Sequence, residues 1–182
     1  MEDTIIEETK AAKSINSNSL YYAVIVSAAM IVYNILMWVM GLSLNRFISY
    51  PSYIILIVGM VMGTVAYRDK YNNRLLNYGE SFKSNFLIGL YASIIGAIWV
   101  YIFFNFIGTD LIPKILEKAR EEIINKNSSL SEDQIQMQLS YVKKFTSPLM
   151  MVMWAFLGNT FFSAIFSLII SAFVKKEDKN FA

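Results

Sequence analysis

The stretch LYYAVIVSAAMIVYNILMWVMGLSLN, residues 20–45, contains no Asp, Glu, Lys or Arg. Residues 47–67, 84–109 and 145–174 are equally free of charge. Each stretch is long enough to cross about 30 Å of hydrocarbon as a helix, which takes roughly 20 residues. The sequence therefore predicts an all-α membrane protein with four transmembrane helices.

Turn and capping residues indicate where the four spans begin and end. Proline suits the first turn of a helix, because the N–H that it lacks would have no partner there. With those signals, the predicted spans are Leu20–Leu44, Pro51–Tyr67, Phe82–Ile107 and Pro148–Val174. The polar residues 1–19 are predicted to form a frayed tail or a short surface helix, ahead of a single transmembrane domain over residues 20–178.

The longest connection, residues 109–147, lies between spans three and four. Both of its halves place apolar residues at helical spacing, and SEDQ at residues 131–134 matches a capping box. We therefore predict an extramembrane hairpin of two amphipathic helices. The hairpin either packs on itself or offers a docking surface to a partner, for which the candidates are Ile115, Leu139 and Val142.

Composition excludes several classes of function. The 182 residues include no Cys and no His, which removes thiol chemistry, thiolate zinc sites and the commonest general base. A net charge of +2 gives no electrostatic basis for binding nucleic acid. We expect no catalytic, cofactor-binding or metal-binding residue, and Glu80 near a span end is only a weak candidate for an enzyme's acid.

The short connections favour one orientation in the membrane. Residues 68–83 carry four basic side chains, whereas residues 45–50 carry only Arg46. The positive-inside rule then predicts that both termini are cytoplasmic and that the 109–147 hairpin is extracytoplasmic. Lys143 and Lys144 are exceptions, since they flank span four on the opposite side.

Small and polar residues recur inside the spans. Span two contains a GxxxG pattern, span three has small residues one turn apart, and span four has a polar side chain at every fourth position. Such residues allow helices to approach closely, or they line a path for a solute, and packing is the commoner use. The residues concerned are Gly59, Gly63, Gly89, Ser93, Gly96, Asn159, Ser163, Ser167 and Ser171.

Several short motifs resemble a bacterial membrane family, domain of unknown function 4199, common in Bacteroidota. The matching segments are YGESFK at 78–83, YIFFNF at 101–106, SEDQI at 131–135, KFTSP at 144–148 and VKKE at 174–177. The resemblance covers about residues 18–178, and only Ser81, where we expect Ala, departs from it. It implies a four-helix protein of the bacterial inner membrane and brings no activity, cofactor or site residue.

Two functions remain after these exclusions. The first is a non-enzymatic accessory or assembly protein that acts by association with lipids, with a second copy or with an unidentified membrane protein. The alternative is a small oligomeric transporter or channel subunit for a neutral solute or lipid, with the Asn159–Ser171 stripe lining the path. The absence of any ionisable residue near a span centre disfavours an ion-driven pump.

Overall fold

The computed structural model describes residues 14–177, apart from the side chains of Arg46 and Ser49. Within this range the chain forms six α-helices. They are α1 Ile15–Val39, α2 Tyr50–Tyr71, α3 Tyr78–Ile102, α4 Leu111–Lys126, α5 Glu132–Phe145 and α6 Pro148–Val174. A 3-10 turn, Arg46–Ser49, precedes α2, and a π-helical turn, Phe103–Ile107, continues α3.

Four of the helices, α1, α2, α3 with its π-helical turn, and α6, are long and apolar enough to cross a membrane. Their outward residues are apolar: Val32 is 56% exposed and Phe161 is 63% exposed. Polar residues lie inside instead, and Thr64, Ser84 and Asn85 are fully buried. A lipid solvent favours this arrangement, because hydrocarbon offers no partner to a polar group.

Helix α1 differs from the predicted span Leu20–Leu44 at both ends. It begins at Ile15, where the Ser14 hydroxyl caps it by accepting from the Ser17 N–H at 3.2 Å. The prediction that residues 15–19 belong to a tail is therefore wrong, because Asn18 and Ser19 are buried against other helices. Residues 1–13 of the predicted tail, and residue 178, lie outside the described residues.

The other end of α1 comes at Val39, five positions before the predicted Leu44. Gly41 adopts a φ of +71°, which a residue without Cβ reaches at little cost. Its N–H bonds to the Trp38 carbonyl, and the Leu42 N–H bonds to the Met37 carbonyl, both at 2.9 Å. This is a Schellman motif, and it ends the helix.

Helices α2 and α3 both extend beyond their predicted spans. Arg68, Asp69 and Lys70 belong to the last turns of α2, which ends at Tyr71. Helix α3 starts at Tyr78 behind a capping box, in which Asn77 accepts from the Glu80 N–H and the Glu80 carboxylate accepts from the Asn77 N–H. Glu80 is therefore engaged as a helix cap.

The segment between α3 and α6 forms two shorter helices that contact each other. Ser131 and Gln134 make the predicted capping box at the start of α5. Arg120 of α4 pairs with Glu132 of α5 at 3.1 Å. The Lys114 ammonium, 2.6 Å from Asp110, holds the pKa of that carboxyl below its ordinary value.

Helix α3 packs against α1, α2 and α6, and its contact with α6 is the most extensive in the bundle. Glycines permit the closest approaches. A Cβ at Gly89 would lie 2.4 Å from the Ser163 side chain, and one at Gly59 would lie 2.0 Å from Val26 Cγ2. The small residues predicted from sequence thus pack helices of one chain together.

An intramembrane crevice as the candidate functional site

The bundle has a closed end, where the chain enters α1 and leaves α6. Asn85 of α3 is its centre: Nδ2 donates to the Ser81 carbonyl at 3.0 Å and to Ser171 Oγ at 3.2 Å. Its Oδ1 lies 2.9 Å from Thr64 Oγ1, which in turn lies 3.0 Å from Ser84 Oγ. Since an amide oxygen only accepts, the Thr64 hydroxyl donates to Asn85 and accepts from Ser84. One fully buried side chain thereby joins α2, α3 and α6.

Helix α1 joins the same network through its first turn. Asn18 Nδ2 donates to the Gly63 carbonyl of α2 at 2.9 Å. The Ser19 hydroxyl donates to the Ser84 carbonyl of α3 at 3.3 Å. All four long helices are therefore linked at the closed end by buried hydrogen bonds, which keeps these polar groups out of contact with lipid.

Backbone contacts reinforce the closed end at its outer rim. Arg68 donates to the Val174 carbonyl at 2.8 Å and also pairs with Asp69. Leu76 and Lys176 exchange two backbone hydrogen bonds, each of 2.8 Å. The α2–α3 connection and the exit from α6 are thus on one side, as four spans require.

Toward the opposite end the helices separate and leave a cavity of about 140 Å³ between them. Its deep part is formed by Ser27, Leu56 and Gly89, which are buried, and it extends along α3 as far as Val100. Val100 lies eleven positions after Gly89 on α3, a rise of about 16 Å at 1.5 Å per residue. The cavity therefore enters the bundle to about half of the membrane's depth.

A second cavity of about 240 Å³ adjoins the first. Both are lined by Met30, Asn34, Ser52 and Asn159, so they form one crevice from the bundle interior to the α1–α2 connection. We call this feature the crevice. Its lining residues are Ser27, Met30, Ile31, Tyr33, Asn34, Met37, Ser43, Ile48, Ser52, Tyr53, Leu56, Gly89, Ala92, Ser93, Gly96, Trp99, Val100 and Asn159.

The crevice carries several polar side chains among apolar ones, and none of the described residues that line it is charged. The Trp99 indole N–H donates to Asn34 Oδ1 at 3.1 Å, which fixes the orientation of that amide. No side-chain hydrogen bond within residues 14–177 engages Asn159. The buried hydroxyls of Ser27 and Ser43 also have no partner in the described part of the chain. Buried polar groups usually have partners, so these free donors and acceptors are suited to a ligand or to ordered water.

The structure separates the candidate residues of span four into two groups. Asn159 lines the crevice. The other three, Ser163, Ser167 and Ser171, are fully buried: Ser167 donates to the Ser163 carbonyl at 2.6 Å and Ser171 accepts from Asn85. Of the four residues of the polar stripe on span four, Asn159 thus lines the crevice, and the other three pack inside the bundle.

The remaining candidates also separate. Gly89, Ser93 and Gly96 line the crevice, although Gly89 also packs on Ser163. Gly59 and Gly63 face α1 and α3, where a Cβ would meet Val26 or Ile88. A Cβ at Gly96 would lie 4.0 Å from Asn159 Nδ2. The absence of a side chain at Gly96 therefore keeps the crevice open beside Asn159.

The candidate partner surface on α4 and α5 is half-buried. Ile115, Leu139 and Val142 all have intermediate exposure. Val142 lines the groove between the two helices together with Ala119 and Ile123. Val142 therefore serves the contact between α4 and α5.

Sequence reasoning missed most of the crevice, because its walls come from distant parts of the chain. Asn34 carries a recognisable signal, since an amide in the middle of a span requires a partner. Its partner Trp99 appears in the sequence as an ordinary interfacial aromatic residue. Ser27 and Ser52 carry no signal that distinguishes them from packing residues.

The fold and the crevice define an all-helical, multi-pass membrane protein with a cavity inside its bundle that both apolar and uncharged polar side chains line. The chain belongs to the family described as protein of unknown function, DUF4199, whose model matches residues 21–176. No curated protein and no solved structure matches the chain.

Proposed function

We propose that this integral membrane protein binds a neutral, hydrogen-bonding molecule or lipid in the crevice, and that its role is non-enzymatic. The observation that carries the proposal is the union of two cavities through Met30, Asn34, Ser52 and Asn159. An empty packing defect would be lined by apolar groups alone, whereas this space holds the buried hydroxyls of Ser27 and Ser43, which have no partner among the described residues.

The chemistry of the walls favours an uncharged ligand. Among the described residues, the lining contains amides, hydroxyls, an indole and aliphatic groups, and no Asp, Glu, Lys or Arg. An ionised group placed there would lose its hydration without gaining a counter-charge, which is strongly unfavourable. An amide or hydroxyl group can instead exchange hydrogen bonds with Asn34 and Asn159.

The closed end favours binding over free passage. A solute path through the bundle would have to break the Asn85 hydrogen bonds that join α2, α3 and α6. We therefore favour an accessory protein that holds its ligand from one side of the membrane. The alternative, a subunit of an oligomeric transporter, requires a second conformation in which these bonds are open.

The proposed location is the inner membrane of a bacterium. Arg68, Lys70, Arg74 and Lys83 in and around the α2–α3 connection favour cytoplasmic termini. In that orientation the crevice opens on the extracytoplasmic side, where α4 and α5 would form the extramembrane hairpin.

Native mass spectrometry of the protein, gently extracted from its own membrane, tests ligand binding. We expect a reproducible bound mass that fragmentation identifies as an uncharged lipid or small polar molecule. Gly96→Leu fills the crevice and should remove this mass. Gly158→Leu is the matched control, because no atom lies within 4 Å of a Cβ at Gly158.

The proposal fails if the wild-type protein carries no bound mass, or if Gly96→Leu retains it as fully as Gly158→Leu does. Thermal unfolding of both variants is measured alongside, so that loss of the ligand is separated from loss of the fold. A bound second polypeptide would instead support an accessory role that does not depend on the crevice.

A further inference from the structure

Helix α5 has two apolar faces, and within residues 14–177 only one of them packs against another helix. The inner face contacts α4: Ile135 is buried, and Val142 lines the groove with Ala119 and Ile123. This face accounts for the amphipathic pattern of the α5 sequence, because a helix of this length is stabilised mainly by packing of its apolar side.

The outer face of α5 consists of Met137, Tyr141 and Phe145, which are 62%, 60% and 53% exposed. The three residues are four positions apart, so they lie on one side of the helix. Nothing in residues 14–177 covers them. Exposed apolar residues that occur singly need no explanation, but a continuous face of them marks an interaction surface.

The outer face ends where α6 begins, with a turn at residues 146–147 between them. The first turns of α6 also carry exposed apolar residues: Leu149 is 73% exposed and Met153 is 40% exposed. Both belong to a helix that is long and apolar enough to cross the membrane. The outer face is therefore followed directly along the chain by a helix whose exposed residues suit contact with lipid.

Hydrogen bonds hold α4 and α5 close to the membrane boundary. Lys118 of α4 donates to the Leu44 carbonyl, in the connection between α1 and α2, at 3.3 Å. Two residues further along α4, Arg120 pairs with Glu132 at the start of α5. The end of α5 is fixed by α6, which begins at Pro148. Both ends of α5 are thus tied to parts of the chain at or near the membrane.

The distribution of charged residues along α5 also favours a position of its C-terminal end beside the membrane. Its first turn carries Glu132 and Asp133, and its last turn, beside α6, carries Lys143 and Lys144. Lysines next to a membrane pair with phosphate groups while their aliphatic stems lie along the apolar boundary. Tyr141 is the kind of amphipathic ring that is enriched at this depth.

We propose that the outer face of α5 lies on the lipid surface, with Met137, Tyr141 and Phe145 at the boundary between headgroups and acyl chains. The helix then acts as an interfacial anchor, which holds the α4–α5 segment next to the mouth of the crevice. An amphipathic helix with this orientation lies about 5–10 Å into the interface.

The absence of Cys from the sequence makes this placement directly measurable. Met137→Cys and Tyr141→Cys are each labelled with an NBD fluorophore in the full chain and reconstituted into phosphatidylcholine–phosphatidylglycerol vesicles. We expect blue-shifted NBD emission that lipids with brominated acyl chains quench. Gln136→Cys is the matched control, since Gln136 is exposed and adjacent but lies on another side of α5; its emission should be that of a probe in water.

Equal emission and equal quenching at positions 136 and 137 would overturn the proposal. A blue shift at positions 137 and 141 without quenching by brominated lipid would also overturn it, and would assign the outer face to contact with another protein or with a second copy. All three labelled variants are compared with the parent in thermal unfolding, so that only folded protein is scored.

Discussion

At the closed end of the bundle, Asn and Ser side chains bond to one another, whereas in the crevice similar side chains face an open space. Asn85 makes three hydrogen bonds to other residues, and Asn159 makes none within the described chain. The two amides differ in how closely the neighbouring helices approach them. At Asn85 the helices approach closely enough for the amide to find partners on three of them, and at Asn159 the helices separate and leave the amide for a ligand.

This contrast predicts that the largest loss of stability follows a change at the closed end. Asn85→Ala removes three hydrogen bonds, which leaves the buried Ser171 hydroxyl without its Asn85 partner and the Thr64 hydroxyl with Ser84 alone. We expect the free energy of unfolding to fall by about 2–4 kcal/mol, at roughly 1 kcal/mol per bond. Unfolding by SDS in mixed micelles measures it.

Asn105→Ala is the matched control for this substitution, because the Asn105 amide is exposed and bonds only to the Tyr101 carbonyl of its own helix. Its effect should stay below about 0.5 kcal/mol, as for most exposed positions. If the two variants unfold alike, the buried network does not hold the closed end together.

The next largest difference in stability is expected between alanine substitutions at two glycines of α3. Gly89→Ala places a Cβ 2.4 Å from the Ser163 side chain and should cost about 1–3 kcal/mol, the usual range for overpacking. Gly96→Ala, two turns along the same helix, places its Cβ 4.0 Å from the nearest atom and should leave stability unchanged or slightly raised. Thermal unfolding of both proteins in detergent compares them, and equal losses would mean that α3 and α6 do not separate toward the crevice.

The smallest effect concerns a hydroxyl that the closed end does not use. Ser81 is fully buried, and its Oγ has no partner among the described residues. Ser81→Ala should therefore be neutral or stabilise the protein by up to about 1 kcal/mol, since it removes an unsatisfied group. Ser84→Ala is the control and should destabilise, because the Ser84 hydroxyl bonds to Thr64. A loss of stability in Ser81→Ala would show that this hydroxyl has a partner in the membrane.

The sequence predicted the four spans well, because charge-free length alone decides them, and the family match agrees with the resemblance stated from short motifs. The ends of α1 were harder to predict. Its first residues are polar, so they resemble a tail, and only their burial against α2 and α3 explains why they are helical. The predicted end of α1 falls too late in the chain, because the Gly41 stop signal lies inside an apolar run.

The crevice depends on geometry that the sequence does not express. Asn159, Ser163, Ser167 and Ser171 recur every four residues, and each step of four turns about 40° beyond a full helical turn. After three steps the stripe has rotated by about 120°, so its two ends face different surroundings. This rotation explains why Asn159 lines the crevice while Ser171 bonds to Asn85.

The closed end is completed only by α6 and the residues after it, including Lys176, which exchanges two backbone hydrogen bonds with Leu76. This has a consequence for biogenesis. During synthesis, α1, α2 and α3 enter the membrane first, while the amide of Asn85 and the guanidinium of Arg68 still lack the acceptors that α6 supplies. A bundle of the first three helices alone therefore holds polar groups whose partners have yet to be made. A chain that stops before α6 keeps those groups unpaired in surroundings where lipid cannot replace the missing acceptors.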